Sequence, residues 1–311
     1  MRVLLLHNPA AGDEEHGREA LVKAFEDEDH EVSYQSTRRK GWKDSLDATV
    51  DVFVAAGGDG TVRRVAIALA EKKSDRPRVP LAVLPLGTAN NIARTLGVPA
   101  SPKTLAAGLE RGWLTRLAVG VAEGPWGEHR FVESAGIGVF ADMIRESHNA
   151  AARLEPTGQL DERSARLAFG AGMLRQVLSE AEPIKVRLEA DDEDLSGSYL
   201  LVEAMNITSI GPRVELAPGA NHAAAFVDLV LAGEAERPLL ESYFAWLDDS
   251  RGTASPIAPR RVHQLSLTWP VAHGHLDDEL WPDPEEIGRS GTGKVSLEIE
   301  TLLPLLIPAG S

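Results

Sequence analysis

The sequence predicts an α/β plus all-β architecture: an N-terminal parallel α/β domain followed by a β-sandwich domain. Three observations predict it. Over the first ~120 residues short apolar runs alternate with amphipathic stretches, at the interval of strand–helix–strand units. After Pro99 that rhythm gives way to strand-like segments joined by turn-rich connections. The chain has 311 residues, about twice a common domain of ~150.

Each element has its own signal. Val3-Leu4-Leu5-Leu6 is a continuous apolar run, as in a strand buried on both faces. Arg18 to Phe25 has helical spacing, with Leu21, Val22 and Phe25 on one side. Val50 to Ala56 reads as a second buried strand, Val62 to Lys72 as a second helix and Leu81 to Leu84 as a third strand. Asn90 to Leu96 is a short helix stopped by Gly97 and Pro99. Beyond it, residues 131–139, 184–190, 198–207, 226–232, 261–269 and 294–300 read as strands. Ile184/Val186/Leu188 and Val295/Leu297/Ile299 fall on one face each. Ser164 to Glu180 is the one strong helical stretch among them, and Asp191-Asp192-Glu193-Asp194 reads as a solvated hairpin tip. Gly120, Gly124, Pro125 and Gly127 mark the junction. The expected domains are 1–125 and 126–299, with residues 300–311 returning to the first.

Composition bounds the function. Apolar residues make up 43% and charged residues 25%, near the globular average, so the chain can bury a core. No window approaches the ~18 uninterrupted apolar residues of a membrane-spanning helix. Met1 to Asn8 runs straight into a strand pattern and lacks the features of a signal peptide. Cysteine is absent, which excludes disulfides, thiol catalysis and Cys-ligated zinc. With 32 basic and 47 acidic residues the net charge is −15. Such a surface repels nucleic acid and anionic lipid at long range. The expected location is cytoplasmic.

Chemistry concentrates in loops of small residues. Gly57-Gly58-Asp59-Gly60-Thr61 follows a buried strand and precedes a helix. Its glycines let the backbone turn sharply and approach a ligand. The helix behind points its N–H groups and positive dipole end at the loop, which suits phosphate. Asp59, itself anionic, is not there to attract phosphate. It holds a magnesium ion directly or through water, orients the reacting groups, or caps a tight turn. Pro85-Leu86-Gly87-Thr88-Ala89-Asn90-Asn91 repeats the arrangement, with Thr88 as the expected N-cap. Asn8-Pro9-Ala10-Ala11-Gly12 is a third such loop. In a parallel sheet all three lie at the carboxyl ends of strands, where ligands bind, so together they make an expected phosphate or nucleotide site.

Other motifs are weaker. Gly288 to Lys294 has the spacing of a Walker A loop, but Val295 stands where a magnesium-ligating Ser or Thr belongs and a strand follows, so it reads as a glycine-rich hairpin. Gly136-Ile137-Gly138 resembles a dinucleotide fingerprint without the acid that should end a second strand ~20 residues on. His273, His275 and Asp277 share a face at period two, compatible with a metal. The same segment, Asp277-Asp278-Glu279, also reads as a solvated loop or as a carboxylate delivered as a general base.

Together these pieces resemble the diacylglycerol kinase catalytic family, in its soluble bacterial lipid-kinase branch, related to sphingosine kinases and NAD kinases. The Gly57-to-Thr61 core is shared with NAD kinases and phosphofructokinases. Pro85 to Asn90 followed by Ile92-Ala93-Arg94 is more specific to lipid kinases, and the resemblance runs on through Ala135 to Gly138 and Asn206 to Asp277-Asp278-Glu279. It implies a site in the cleft between the two domains, where the γ-phosphoryl group of ATP, with Mg2+, passes to a lipid hydroxyl. Catalysis of such a transfer is mostly positioning and charge stabilisation. By the resemblance, Asn8, Pro9, Gly12, Thr37, Gly57, Gly58, Asp59, Gly60, Thr61, Gly87, Thr88 and Asn90 hold the nucleotide. Asp59 would place phosphate and magnesium, and Glu279 would take the hydroxyl proton with Asp277 beside it.

Four places depart from the family pattern. Arg64 stands where Glu is usual and Asn91 where Asp is usual. Ala224-Ala225 replace an Asp-Gly pair that helps hold a structural magnesium, so no protein-held metal is expected, and Asp278 replaces Gly. These changes leave two other readings open: a nucleotide-binding regulatory relative with little kinase activity, and a soluble-substrate kinase of the NAD type. The expected partner is a lipid substrate met transiently at a membrane surface, with no nucleic acid. Arg38-Arg39-Lys40 beside Trp42, and Arg260-Arg261, are the candidate membrane contacts. The oligomeric state is open, a dimer included.

Overall fold

The computed structural model describes residues 1–12, 16–72, 78–153, 163–247, 255–269, 274–282 and 293–310. The chain forms two units: Met1–Val119 with His222–Ala224 and Thr301–Ser311, and Gly120–Asn221 with Ala225–Glu300.

In the first unit β1 (Arg2–His7), β2 (Glu31–Ser36), β3 (Val52–Gly57) and β4 (Leu81–Pro85) pair in parallel, in the order β4-β3-β1-β2. Leu5 lies between Val54 and Tyr34 in register. β3 and β4 are buried at every position and β1 at all but its first, which is why their sequences are unbroken apolar runs. β2 is the edge strand and alternates exposed with half-buried residues, so it shows no such run in the sequence. Four helices follow the strands: α1 (Arg18–Glu26), α2 (Asp59–Glu71), α3 (Asn91–Leu96) and α4 (Pro102–Gly108). Leu21 and Phe25 of α1 pack with Leu5, Leu84, Leu105 and Leu306 in one core. α4 starts as its sequence dictates, with Pro102 in the first turn and the Ser101 hydroxyl accepting the Thr104 N–H. α2 begins at Asp59, three residues before the sequence expectation, so the Gly57-Gly58 turn runs straight into its first turn.

β5 (Trp113–Gly124) leads into the second unit, which contains β6 (Gly127–Phe131), β7 (Ser134–Gly138), β8 (Ile184–Ala190), β9 (Glu193–Asp194), β10 (Gly197–Tyr199) and β11 (Leu201–Met205). There follow β12 (Ser209–Ile210), β13 (Val214–Glu215), β14 (Val227–Ala232), β15 (Arg260–Val262), β16 (Gln264–Trp269), β17 (Gly274–Leu276), β18 (Glu279–Trp281) and β19 (Gly293–Ile307). One antiparallel sheet runs β15-β14-β11-β7-β17-β18. The other includes β10-β8-β16 and the first half of β19. The later part of β19 belongs to the first unit, where Leu305 pairs Leu81 in parallel.

β11 shows why this unit has two cores. Val202 and Ala204 pack with Leu267, Trp269 and Val295 between the sheets. Leu201 and Met205, on the opposite face, pack under α5 (Val139–Arg153), α6 (Arg163–Glu180) and α7 (Arg237–Ala245). This helical layer is larger than the sequence predicts, where only Ser164 to Glu180 reads as a strong helix. The strand expected over 261–269 breaks at His263. There the Asp191 carboxylate accepts the N–H groups of His263 and Gln264, so the acidic hairpin tip also anchors the neighbouring strand.

Candidate active site

Three loops leave the carboxyl ends of β1, β3 and β4. The first is an Asx turn: Asn8 Oδ1 accepts the Ala10 N–H at 3.2 Å, and the Asn8 carbonyl accepts the Ala11 N–H at 2.9 Å, across Pro9. Gly12 closes it at φ +87, where a side chain would meet His16. Thr37, just after β2, is buried and donates both its N–H (2.8 Å) and its hydroxyl (3.2 Å) to the His7 carbonyl.

The other two loops touch backbone to backbone. A Cβ on Gly87 would overlap the Cα of Gly58, and one on Gly57 would overlap the Thr61 hydroxyl. Leu86 donates its N–H to the Gly57 carbonyl at 2.9 Å. Asp59 then joins the loops. Its carboxylate, on the first residue of α2, accepts the N–H groups of Asn91 and Ile92 at 3.0 Å each. These are orphan donors at the positive end of α3, and a carboxylate is the group that satisfies them best. The cap of α3 thus comes from Asp59 rather than from Thr88. Asn90 occupies the cap position at φ +52 and exchanges two hydrogen bonds with Gly87, at 2.9 and 3.0 Å. The end of α3 is thus answered by Asp59, whereas no side chain caps the 13-residue α2 at Gly58.

Around these loops stand side chains that the motifs do not announce. His7 ends β1 with Nδ1 3.0 Å from the Tyr34 hydroxyl. Burial holds its pKa below the ordinary histidine value, with His16 adding to the effect. Arg64 donates to the Thr37 carbonyl at 2.7 Å and lies 5.8 Å over the Trp42 ring. Trp42 is buried, so it is no exposed anchor for a membrane, although Arg38, Arg39 and Lys40 are exposed. The other basic candidates are engaged: Arg260 pairs with Glu193, and Arg261 lies 4.1 Å over Phe226.

In the second unit the β17–β18 hairpin turns through Asp277 and Asp278. Asp277 adopts φ +56, and its buried carboxylate accepts the N–H groups of Val132 (3.0 Å), Glu133 (2.6 Å) and Ser134 (3.1 Å). Successive N–H groups aimed at one carboxylate form an anion nest, here filled by the protein itself. Asp278 does not share the positive φ, so replacing the family's glycine there brings no backbone strain. Glu279 opens β18 and is exposed. His275 is buried, with Nε2 2.8 Å from Glu203 Oε1 and Nδ1 2.8 Å from the Asp277 carbonyl. Burial alone would lower its pKa, but the charge and hydrogen bond of Glu203, with Asp277, raise it above the ordinary value. Both ring nitrogens are thus taken up by protein oxygens, which argues against metal ligation. His273 lies outside the described residues.

Residues 2–122 match the model of the diacylglycerol kinase catalytic domain. Over those residues the chain is similar to the diacylglycerol kinase catalytic-domain family. It is 28% identical over 244 residues to a diacylglycerol kinase of Bacillus subtilis (strain 168), covering 75% of this chain and 74% of the relative. A probable lipid kinase YegS-like protein of Pseudomonas aeruginosa is 39% identical over 114 residues, 35% of this chain and 36% of the relative. The fold resembles that of a crystal structure of a diacylglycerol kinase from Bacillus anthracis str. Sterne, with a TM-score of 0.68 and 19% identity over 96% of this chain and 94% of the other.

The glycine signals outside the loops find local explanations. Gly136 makes room for Glu203, and Gly138, at φ +93, lies against the Leu200 carbonyl. Of the Walker-like segment, residues 288–292 lie outside the described residues, while Gly293 and Lys294 already belong to β19. Ala224 and Ala225 offer no side-chain oxygen, and among the described residues no three His, Asp or Glu groups gather as a metal site.

Proposed function

We propose that the protein is an ATP-dependent lipid kinase that transfers the γ-phosphoryl group to a hydroxyl of a diacylglycerol-like lipid. One observation carries the reading. The loops at 57–61 and 87–91 interlock, with glycine at 57, 58 and 87 where a Cβ would press on Thr61 or on the facing loop, and α2 begins at that junction with no side chain capping it. That arrangement fits a polyphosphate, and the names of the relatives support a lipid acceptor. Magnesium fits as an ion carried mainly by the phosphates and water, with at most Asp59 from the protein, as is usual for this cation. Bound ATP with its ion supplies the transferable group and neutralises its charge.

This chain's residues supply the rest. Gly58 to Thr61 and Thr88 hold the phosphates, and the Asn8-to-Gly12 loop and Thr37 complete the nucleotide contacts. Glu279 accepts the proton of the attacking hydroxyl, and Asp277 fixes the turn that presents it. The protein would act in the cytoplasm and meet its acceptor transiently at a membrane surface. Among the described residues no helix is long and apolar enough to cross a membrane.

Calorimetry with ATP, with and without magnesium, tests the nucleotide half: binding is magnesium-dependent and weaker in Asp59→Ala. Phosphorylation of diacylglycerol, ceramide and sphingoid bases in micelles tests the acceptor half. No labelled lipid across that panel overturns the reading, and turnover of NAD without detergent would replace it. The four motif departures favour a second reading, a nucleotide-binding relative without transfer. It is excluded if Glu279→Ala lowers kcat by about 10²–10⁴ while ATP still binds.

A further inference from the structure

Beneath the β17–β18 turn lies a buried ionisable pair with no part in the chemistry above. In the register of the six-stranded sheet, Glu203 of β11 stands opposite Gly136 of β7, and Gly136 opposite His275 of β17. The three share one row across three strands. A Cβ at position 136 would overlap the Glu203 carboxyl group, so the glutamate lies over the bare glycine and reaches the next strand but one. Glu203 is 0% exposed and His275 2%. Glu203 Oε2 has no hydrogen-bond partner among the described residues.

A merely structural row would be served better by apolar side chains, because desolvating two ionisable groups offsets much of their attraction. What this pair does is hold a strained residue. Asp277 sits in the left-handed region, which non-glycine residues adopt only when their surroundings enforce it. Its carboxylate end is gripped by the three N–H groups of residues 132–134. Its carbonyl end is gripped by His275 Nδ1, which must donate because a carbonyl can only accept. Loss of that second grip would let the turn relax and redirect the chain that begins β18 at Glu279.

We propose that His275, clamped by Glu203, is a positioning residue: its hydrogen bond to the Asp277 carbonyl sets the direction in which the turn presents Glu279 to the acceptor hydroxyl. The proposal rests on the reading of Glu279 as the base.

The two ring nitrogens can be separated by substitution. In His275→Asn the amide N–H takes the place of Nδ1 and keeps the bond to Asp277, while the link to Glu203 is lost. In His275→Gln the amide replaces Nε2 and keeps the link to position 203 instead. Each is combined with Glu203→Gln, so that neither leaves a buried unpaired carboxylate. The double variant carrying His275→Gln is expected to lose about 10- to 100-fold in kcat with KM for ATP within about twofold, the effect of a displaced catalytic group. The double variant carrying His275→Asn should stay within about threefold of wild-type kcat, with a similar loss of thermal stability. Equal kcat in the two double variants overturns the proposal. Nitrogen NMR of histidine-labelled wild type reads the same bond without any variant. A slowly exchanging proton on His275 Nδ1 is expected, and a bare Nδ1 overturns the proposal. Glu279→Gln in the same assay separates the failures. Wild-type kcat there removes the base and this proposal with it, whereas loss of kcat there with equal double variants removes the positioning role alone.

Discussion

The two units hold their candidate site residues by opposite means. In the first, the loops meet where side chains are missing: glycine at 58 and 87 lets backbone lie on backbone, Asp59 is the one acid that grips across to α3, and the nearby His7 is buried with its pKa lowered. In the second, the hairpin is held by side chains carrying charge: Asp277 on three N–H groups, and His275, with its pKa raised, against Glu203. On the proposed function, the contrast follows from what each must offer. A phosphate cradle works by exposing backbone N–H groups, and its one acid, Asp59, is turned onto α3. A presented carboxylate needs a rigid mount, and charge-assisted hydrogen bonds are the strongest available.

The largest expected effect tests the charged mount. Asp277→Asn keeps the size and the tolerance for a left-handed backbone but replaces an ionised acceptor. The second unit should lose on the order of 3 kcal/mol, because three buried N–H groups then face an amide. Urea unfolding followed by the fluorescence of Trp269 and Trp281 checks this, and a loss below about 1 kcal/mol breaks the comparison on that side.

Next in size is the glycine contact. Gly87→Ala forces the two loops apart and should cost about 1–3 kcal/mol in the first unit, with ATP affinity falling alongside. Gly219→Ala is the control, since a Cβ there meets nothing within 4 Å and the change should stay within about 0.5 kcal/mol. Equal behaviour of the two variants in thermal melts and calorimetry would mean that the bare backbone contact is incidental.

The smallest effect sharpens the contrast through pH. His7 and His222, both in the first unit, have pKa values lowered from 6.5, chiefly by burial. Their contribution is present above 6.5 and is lost as pH falls through the lowered folded-state values. His275 is raised above 6.5, so its contribution is full below 6.5 and is lost as pH rises through its folded-state value. Acid should therefore weaken the first unit and mild alkali the second. Hydrogen exchange resolved by unit, on either side of neutrality, checks the opposite signs. A parallel response of both units would refute them.

Much of the fold was legible along the chain. Val3 to Leu6, Val52 to Ala56 and Leu81 to Leu84 are apolar at every position because both faces are covered, and that needs no knowledge of neighbours. β2 was not legible, because an edge strand with exposed positions looks like a loop. α5 has clear helical spacing at Val139, Phe140, Met143 and Ile144, but it follows β7 without a break and so reads as part of the strand, and α7 offers a single such group at Leu240, Tyr243 and Phe244. In the candidate site, the glycine loops are local and could be read. Asp59 as the cap of α3, Arg64 over Trp42 and Glu203 across Gly136 could not, since none is a neighbour in sequence.

Which strands end in small-residue loops, and where the ionisable turn at Asp277 to Glu279 lies, could be read along the chain, because glycine, proline and alternation act within a few residues. The tertiary structure alone decided what each polar group meets. Asp59 reaches Asn91 across 32 positions, His275 reaches Glu203 across 72, and Asp277 reaches Val132 across 145. Such pairings depend on strand order and register, and the period of a strand says which face a side chain takes but not which strand lies beside it.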